Sequence, residues 1–185
     1  MHDLLYSLGF KVRCLIGRVI NNQDIDVPRT HRTTLLELNG DKYIIDVGFG
    51  SMCPKTPLKI GDTTINSQNY RIMKIEKNNY QLEIFKNNKP FILYTFDLND
   101  YTQSDCLIGN FYSSKHPKAV FVNNLVISLI KEDVILSLRN KHYHRIYSTH
   151  TNIVEIKDFM QLHSVVNDDF GVNLSVDDCR VLFVA

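Results

Sequence analysis

Asn39-Gly40 stands between two strand-like runs, residues 31–38 and 42–47. An Asn-Gly pair in that setting is the strongest short-range signal for a tight β-hairpin, because both central positions of the turn need positive φ. It commits this part of the chain to antiparallel pairing. The flanking segments agree. Residues 11–20 are rich in Val, Leu and Ile, residues 21–28 form a polar loop, and strand-like runs follow at 69–75, 80–86 and 90–96. Lys77-Asn78-Asn79 and Asn87-Asn88-Lys89 separate those runs as turns. Short strands at hairpin spacing predict an antiparallel barrel or sandwich. Residues 98–118 read as irregular. Runs at 125–130, 134–138 and 142–147 predict a further sheet. A helix over about 157–169 carries Phe159, Leu162, Val165, Val166 and Phe170 near one face and stops at Gly171.

At the other end, Met1, Leu4, Leu5 and Leu8 share one helical face, and Gly9 is a good stop. No capping residue precedes the pattern. Two expectations follow: a short helix docked on the core, or a helix whose beginning lies upstream.

Composition excludes several classes. Of 185 residues, 44% are hydrophobic and 22% charged, which is not the composition of a disordered chain. A net charge of +1 supplies no broad basic field for nucleic acid. No run reaches the ~18 apolar residues of a membrane span, and no signal peptide is visible. The cysteines at 14, 53, 106 and 179 are widely spaced, so neither a disulfide framework nor a zinc site is expected, and a reducing cytoplasm is. His142 and His144 alternate on a strand beside Lys141 and Arg145 and read as a solvated face rather than a metal site.

The hairpin also brings chemistry together. If Asn39-Gly40 is a two-residue turn, Leu38 pairs with Asp41, Thr33 faces Asp46, and His31, Thr33 and Asp46 project to one side. His31 and Asp46 are then diagonal neighbours at roughly 7–8 Å, within reach of each other's side chains. A carboxylate that accepts Nδ1–H would orient the imidazole and leave Nε2 free to act as a base. A turn at Gly40-Asp41 instead would set Asp46 opposite Leu35 and separate the pair. Gly48-Phe49-Gly50, just after Asp46, allows close backbone approach to a ligand.

Leu8-Gly9-Phe10, Gly17-Arg18-Val19, Pro28-Arg29-Thr30-His31, Asp46-Val47-Gly48-Phe49-Gly50 and Pro57-Leu58 resemble arylamine N-acetyltransferases in order and spacing. Asn110-Phe111-Tyr112-Ser113, His116-Pro117, Phe121 and Phe170-Gly171 extend the resemblance over almost the whole chain. It implies an α+β fold: a helical N-terminal bundle, an antiparallel β-barrel and an α/β lid, set here at residues 1–9, 10–115 and 116–185. It implies a Cys-His-Asp triad that takes acetyl from acetyl-CoA onto the thiol and passes it to an arylamine or arylhydrazine. His31 and Asp46 match the His and Asp. Val19, Thr33, Phe49, Gly50 and Phe121 match pocket positions, and no metal is implied.

The family's Arg-Gly-Gly-x-Cys stretch is not found in the sequence, and Cys53 is the cysteine nearest the Asp46 loop. From this follow four expectations. The bundle is missing except for its last helix. The chain is truncated and, without its nucleophile, inactive. The alternative is a non-catalytic remnant that binds CoA or small aromatic amines. A homodimer would cover the exposed barrel face. No nucleic-acid or membrane partner is expected, and the location is cytoplasmic.

Overall fold

A computed structural model describes residues 1–61, 65–66 and 68–184. The chain divides into two compact units, Met1–His116 and the part from Pro117 onward.

The first unit opens with helix α1 (His2–Ser7) and continues through strands β1 (Lys11–Val19), β2 (His31–Leu38), β3 (Asp41–Ile45), β4 (Leu58–Lys59), β5 (Tyr70–Lys74), β6 (Asn79–Lys86) and β7 (Lys89–Asp97) to helix α2 (Gln103–Lys115). Among the described residues the strands form one antiparallel sheet in the order β4-β3-β2-β1-β7-β6-β5. The strands at its two ends, β4 and β5, lie against each other, so the sheet curls into a barrel. Inward positions fill it: Leu15, Leu35, Ile44, Leu82, Leu93, Tyr94 and Phe96 are all essentially inaccessible to solvent. Asn39 and Gly40 both adopt positive φ, as a two-residue hairpin requires. Asn87 and Asn88 do the same between β6 and β7.

The expectation of a remnant helix left over from a lost bundle is corrected in this respect: helix α1 is built into the first unit. It packs on β1 as an integral part of this unit. Its end is closed by Phe10 N–H donating to the Leu5 carbonyl and Gly9 N–H to the Tyr6 carbonyl, and Asp3 pairs with Arg32 on β2 at 3.7 Å. Helix, barrel and α/β region follow one another along the chain.

The segment expected to be irregular, residues 98–118, is mostly helix α2. Its start is a capping box: the Thr102 hydroxyl accepts from Asp105 N–H, and the Asp105 carboxylate accepts from Thr102 N–H at 2.7 Å. Apolar periodicity misses this helix because only Gly109 of its residues is buried.

The second unit holds helix α3 (Val120–Asn123), strands β8 (Val126–Ile130), β9 (Ile135–Arg139), β10 (His142–Ile146) and β11 (Thr151–Glu155), then α4 (Phe159–Ser164) and α5 (Val176–Val184). The strands make a meander in the order β11-β10-β9-β8. Leu136, Leu138, Tyr143, Ile156, Leu162, Val166 and Cys179 form its core. Between α4 and Gly171 the chain widens into one π-helical turn, Val165–Asp169. That turn delivers Asp169 to Arg145 (2.8 Å) and to the Tyr143 hydroxyl (2.8 Å).

Candidate active site

The hairpin register runs from Leu38↔Asp41 to Thr34↔Ile45, as the Asn-Gly turn predicts. Thr33 Oγ1 donates to the Ile45 carbonyl at 3.0 Å and carries the alignment one residue further. Beyond Ile45 the chain leaves the sheet, and Asp46 turns inward. Its Oδ1 accepts from Gly48 N–H (2.9 Å), its carbonyl accepts from the Cys53 thiol (3.1 Å), and its Oδ2 meets His31 Nε2 at 2.6 Å. The Asp46 side chain is 1% exposed and that of His31 10%.

Aromatic rings enclose this pair. The Phe49 ring meets the His31 ring edge-on with centroids 5.0 Å apart, and Tyr94 lies 4.7 Å from it on another side. Tyr94 can come this close because β1 carries Gly17 directly opposite His31. A Cβ there would stand 3.1 Å from the Tyr94 ring and 3.0 Å from the Thr95 carbonyl. The segment entering His31 is fixed by Arg29, which donates to the Ile16 carbonyl (2.9 Å) and to buried Asp97 (2.6 Å); Tyr101 donates to the same carboxylate.

Burial alone would raise the pKa of Asp46. The His31 hydrogen bond and charge, helped by the Gly48 amide, outweigh burial and hold the carboxyl below its ordinary value. Asp46 therefore stays ionised in a dry setting, where a hydrogen bond to the ring is strengthened. Burial pushes Tyr94 well above its usual range and Cys53 up to about 11. The latter is the behaviour of a structural thiol.

One sequence expectation is reversed. Nε2, not Nδ1, faces Asp46. Hairpin register brings the two side chains together, while alternation along a strand does not specify which ring nitrogen meets the carboxylate. Among the described residues Nδ1 makes no hydrogen bond, so it is the nitrogen available for chemistry. A cleft lined by Met1, His2, Asp3, Arg32, Thr33 and Gly48, among others, does not include His31 or Asp46 in its lining.

Of the residues singled out from sequence, the structure gathers His31, Asp46 and Phe49 into one cluster and sets Thr33, 3% exposed, beside it. Gly50, at φ +68°, starts the tight turn Gly50–Met52 that follows Phe49. Val19 ends β1, paired with Tyr94. Phe121 belongs to the second unit, on α3, and is 68% exposed. Gly17, Tyr94 and the Arg29–Asp97 pair escaped sequence reasoning. The inward parity of Tyr94 with Phe96 was visible in the alternation of β7, but the pairing of β1 with β7 is non-local and leaves no turn signal. Among the described residues there is no cluster of three His, Cys, Asp or Glu able to hold a metal, and no helix is long and apolar enough to cross a membrane.

A buried imidazole–carboxylate pair is the arrangement that orients a general base. The family is shown directly: residues 1–179 match the N-acetyltransferase family model, and the chain belongs to that family. The arylamine N-acetyltransferase of Escherichia coli (strain K12) is 33% identical over 185 residues, covering 96% of this chain and 64% of that protein. The solved arylamine N-acetyltransferase of Salmonella typhimurium superposes with a TM-score of 0.89 at 28% identity, over 98% of this chain and 71% of that one. That of Mycobacterium marinum, in complex with CoA, gives a TM-score of 0.89 at 25% identity, again over 98% and 71%. The chain thus spans 64% of the length of the E. coli relative.

Against the expectations of a truncated, inactive or merely binding remnant of doubtful enzyme status stands a match to the N-acetyltransferase family over residues 1–179. Those expectations rested on one short motif. The likeness to arylamine N-acetyltransferases covers 98% of this chain and 71% of the Salmonella typhimurium structure, and 96% of this chain and 64% of the E. coli protein.

Proposed function

We propose that this protein transfers an acetyl group from acetyl-CoA to the amine nitrogen of an arylamine or arylhydrazine, in two steps through a cysteine thioester. The acyl donor is acetyl-CoA. His31 is the general base and acid, acting through Nδ1. Among the described residues no cysteine hydrogen-bonds His31, so the thiol whose proton Nδ1 takes before it attacks the thioester carbonyl and expels CoA is the group that the acetylation experiment below locates. In the second step Nδ1 takes a proton from the attacking amine as the acetyl group moves to nitrogen. Asp46 holds the Nε2–H tautomer and stabilises the imidazolium that forms in each step. Phe49, Thr33, Gly50 and Val19 shape the pocket for the flat substrate; Phe121 is a pocket residue by the family resemblance alone. Four free thiols suit a reducing, cytoplasmic setting.

The observation that carries this reading is the buried 2.6 Å contact between Asp46 Oδ2 and His31 Nε2. The test is acetyl-CoA-dependent acetylation of a panel of arylamines and arylhydrazines. Proteolytic digestion and mass spectrometry after acetyl-CoA alone locate the acetylated cysteine. Turnover that is lost in His31→Gln supports the reading. Equal turnover in His31→Gln, or no transfer to any amine by folded protein, overturns it.

A further inference from the structure

Cys14 and Cys106 are 92 positions apart in sequence, yet their sulfurs stand 3.3 Å apart and both thiols are free. Cys14 projects from the middle of β1. Cys106 projects from the first turn of α2, right after the capping box. Cys14 is buried and Cys106 half-exposed, so a small oxidant reaches one of the two first. Burial and the neighbouring thiol raise Cys14 to about 11, while the Arg32 guanidinium acts in the opposite sense and favours its thiolate. The other two cysteines are placed differently. The Cys53 thiol donates to the Asp46 carbonyl, and Cys179 is fully buried in the second unit.

Helix α2 is held on the barrel by a narrow face. Leu107, Ile108 and Phe111 are 57%, 72% and 69% exposed. Inward, Gly109 rests on the strap that leads into His31. A Cβ at Gly109 would come within 2.9 Å of the Arg29 carbonyl and 3.4 Å of Thr30 Cα. A bond from Cys106 to β1 would fasten this helix where it has little other anchorage. Bond formation needs the sulfurs to close by roughly 1.2 Å, to a separation of about 2.05 Å. That is a shift within reach of side-chain rotation on a helix so lightly packed.

We propose that Cys14 and Cys106 are a peroxide-responsive modification site that closes reversibly into a disulfide and staples α2 to β1. The oxidant is hydrogen peroxide. Cys106 sulfur attacks one peroxide oxygen, the O–O bond breaks, and Cys106 sulfenic acid and one water result. Cys14 sulfur then attacks Cys106 sulfur; the S–O bond breaks, and the oxygen leaves as a second water carrying the Cys14 proton. Two thiols and one peroxide give one disulfide and two waters. A dithiol reverses it by exchange.

The test uses the reduced full chain, treated with a slight excess of hydrogen peroxide, alkylated, and digested without reductant. The expected result is a linked peptide pair joining Cys14 to Cys106 that disappears on dithiothreitol treatment, with the thermal midpoint of the linked protein higher by several degrees. Cys106→Ser should show neither link nor shift. Cys14→Ser should leave Cys106 as a sulfenic acid trapped by dimedone. Recovery of both cysteines as alkylated free thiols, a link to Cys53 or Cys179 instead, or a link without a rise in midpoint overturns the proposal.

Discussion

Two regions of this molecule set a nitrogen base against a carboxylate, and they differ in almost everything else. In the barrel, His31 meets Asp46 with side chains 10% and 1% exposed, walled by Phe49 and Tyr94. In the second unit, Arg145 meets Asp169 at 2.8 Å with side chains 44% and 27% exposed. Guanidinium stays charged at any accessible pH and moves no proton; the surface pair fastens a π-helical turn to a sheet. Imidazole exchanges a proton near neutrality, and burial makes its carboxylate partner count. The pairing itself is common chemistry. What makes one instance a candidate site is a titratable base, a dry enclosure and, among the described residues, one ring nitrogen left unbonded.

The contrast can be broken in order of expected effect. His31→Gln should lower kcat/KM for arylamine acetylation by about 10²–10⁴-fold, since a general base is removed from both steps; steady-state assay of the acetylated amine checks it. Asp46→Asn should give a loss approaching the same size, because an amide cannot hold the Nε2–H tautomer as a carboxylate does. The same variant has a pH signature. Asp46 has a folded pKa below its unfolded value of 3.8. Its stabilisation is therefore complete above pH 3.8 and lost as pH falls through the folded value. Urea unfolding between pH 5 and pH 2 should show a shallower acid decline for Asp46→Asn than for the native chain. Phe49→Ala should cost up to about tenfold in kcat/KM, the scale of an edge-on aromatic contact of about 0.5–1.5 kcal/mol. Asp169→Asn should leave turnover unchanged and lower stability by no more than about 1 kcal/mol, as exposed pairs do. Denaturant midpoints measured beside the kinetics separate it from the barrel variants.

Much of this contrast was legible in the sequence where the information is local. Asn39-Gly40 dictates the hairpin, the hairpin dictates the register, and the register brings His31 to Asp46. What depends on distant partners was not legible. Tyr94 reaches His31 only because β1 pairs with β7 across the barrel, and Gly17 matters only once that pairing exists. The nitrogen that faces Asp46 depends on the side-chain rotamer, which alternation along one strand cannot name. Helix α2 escaped for the opposite reason: its exposed apolar residues leave no amphipathic stripe, and only the Thr102–Asp105 box marks it. The absence of an Arg-Gly-Gly-x-Cys stretch is a short, local signal, whereas the family likeness runs over residues 1–179.

Nitrogen-resolved NMR of the histidine ring tests the central claim most directly. In protein labelled with ¹⁵N at histidine, the neutral ring of His31 should carry its proton on Nε2 and leave Nδ1 bare, and Asp46→Asn should abolish that preference. A His31 signal with the proton on Nδ1 and Nε2 bare would contradict the account.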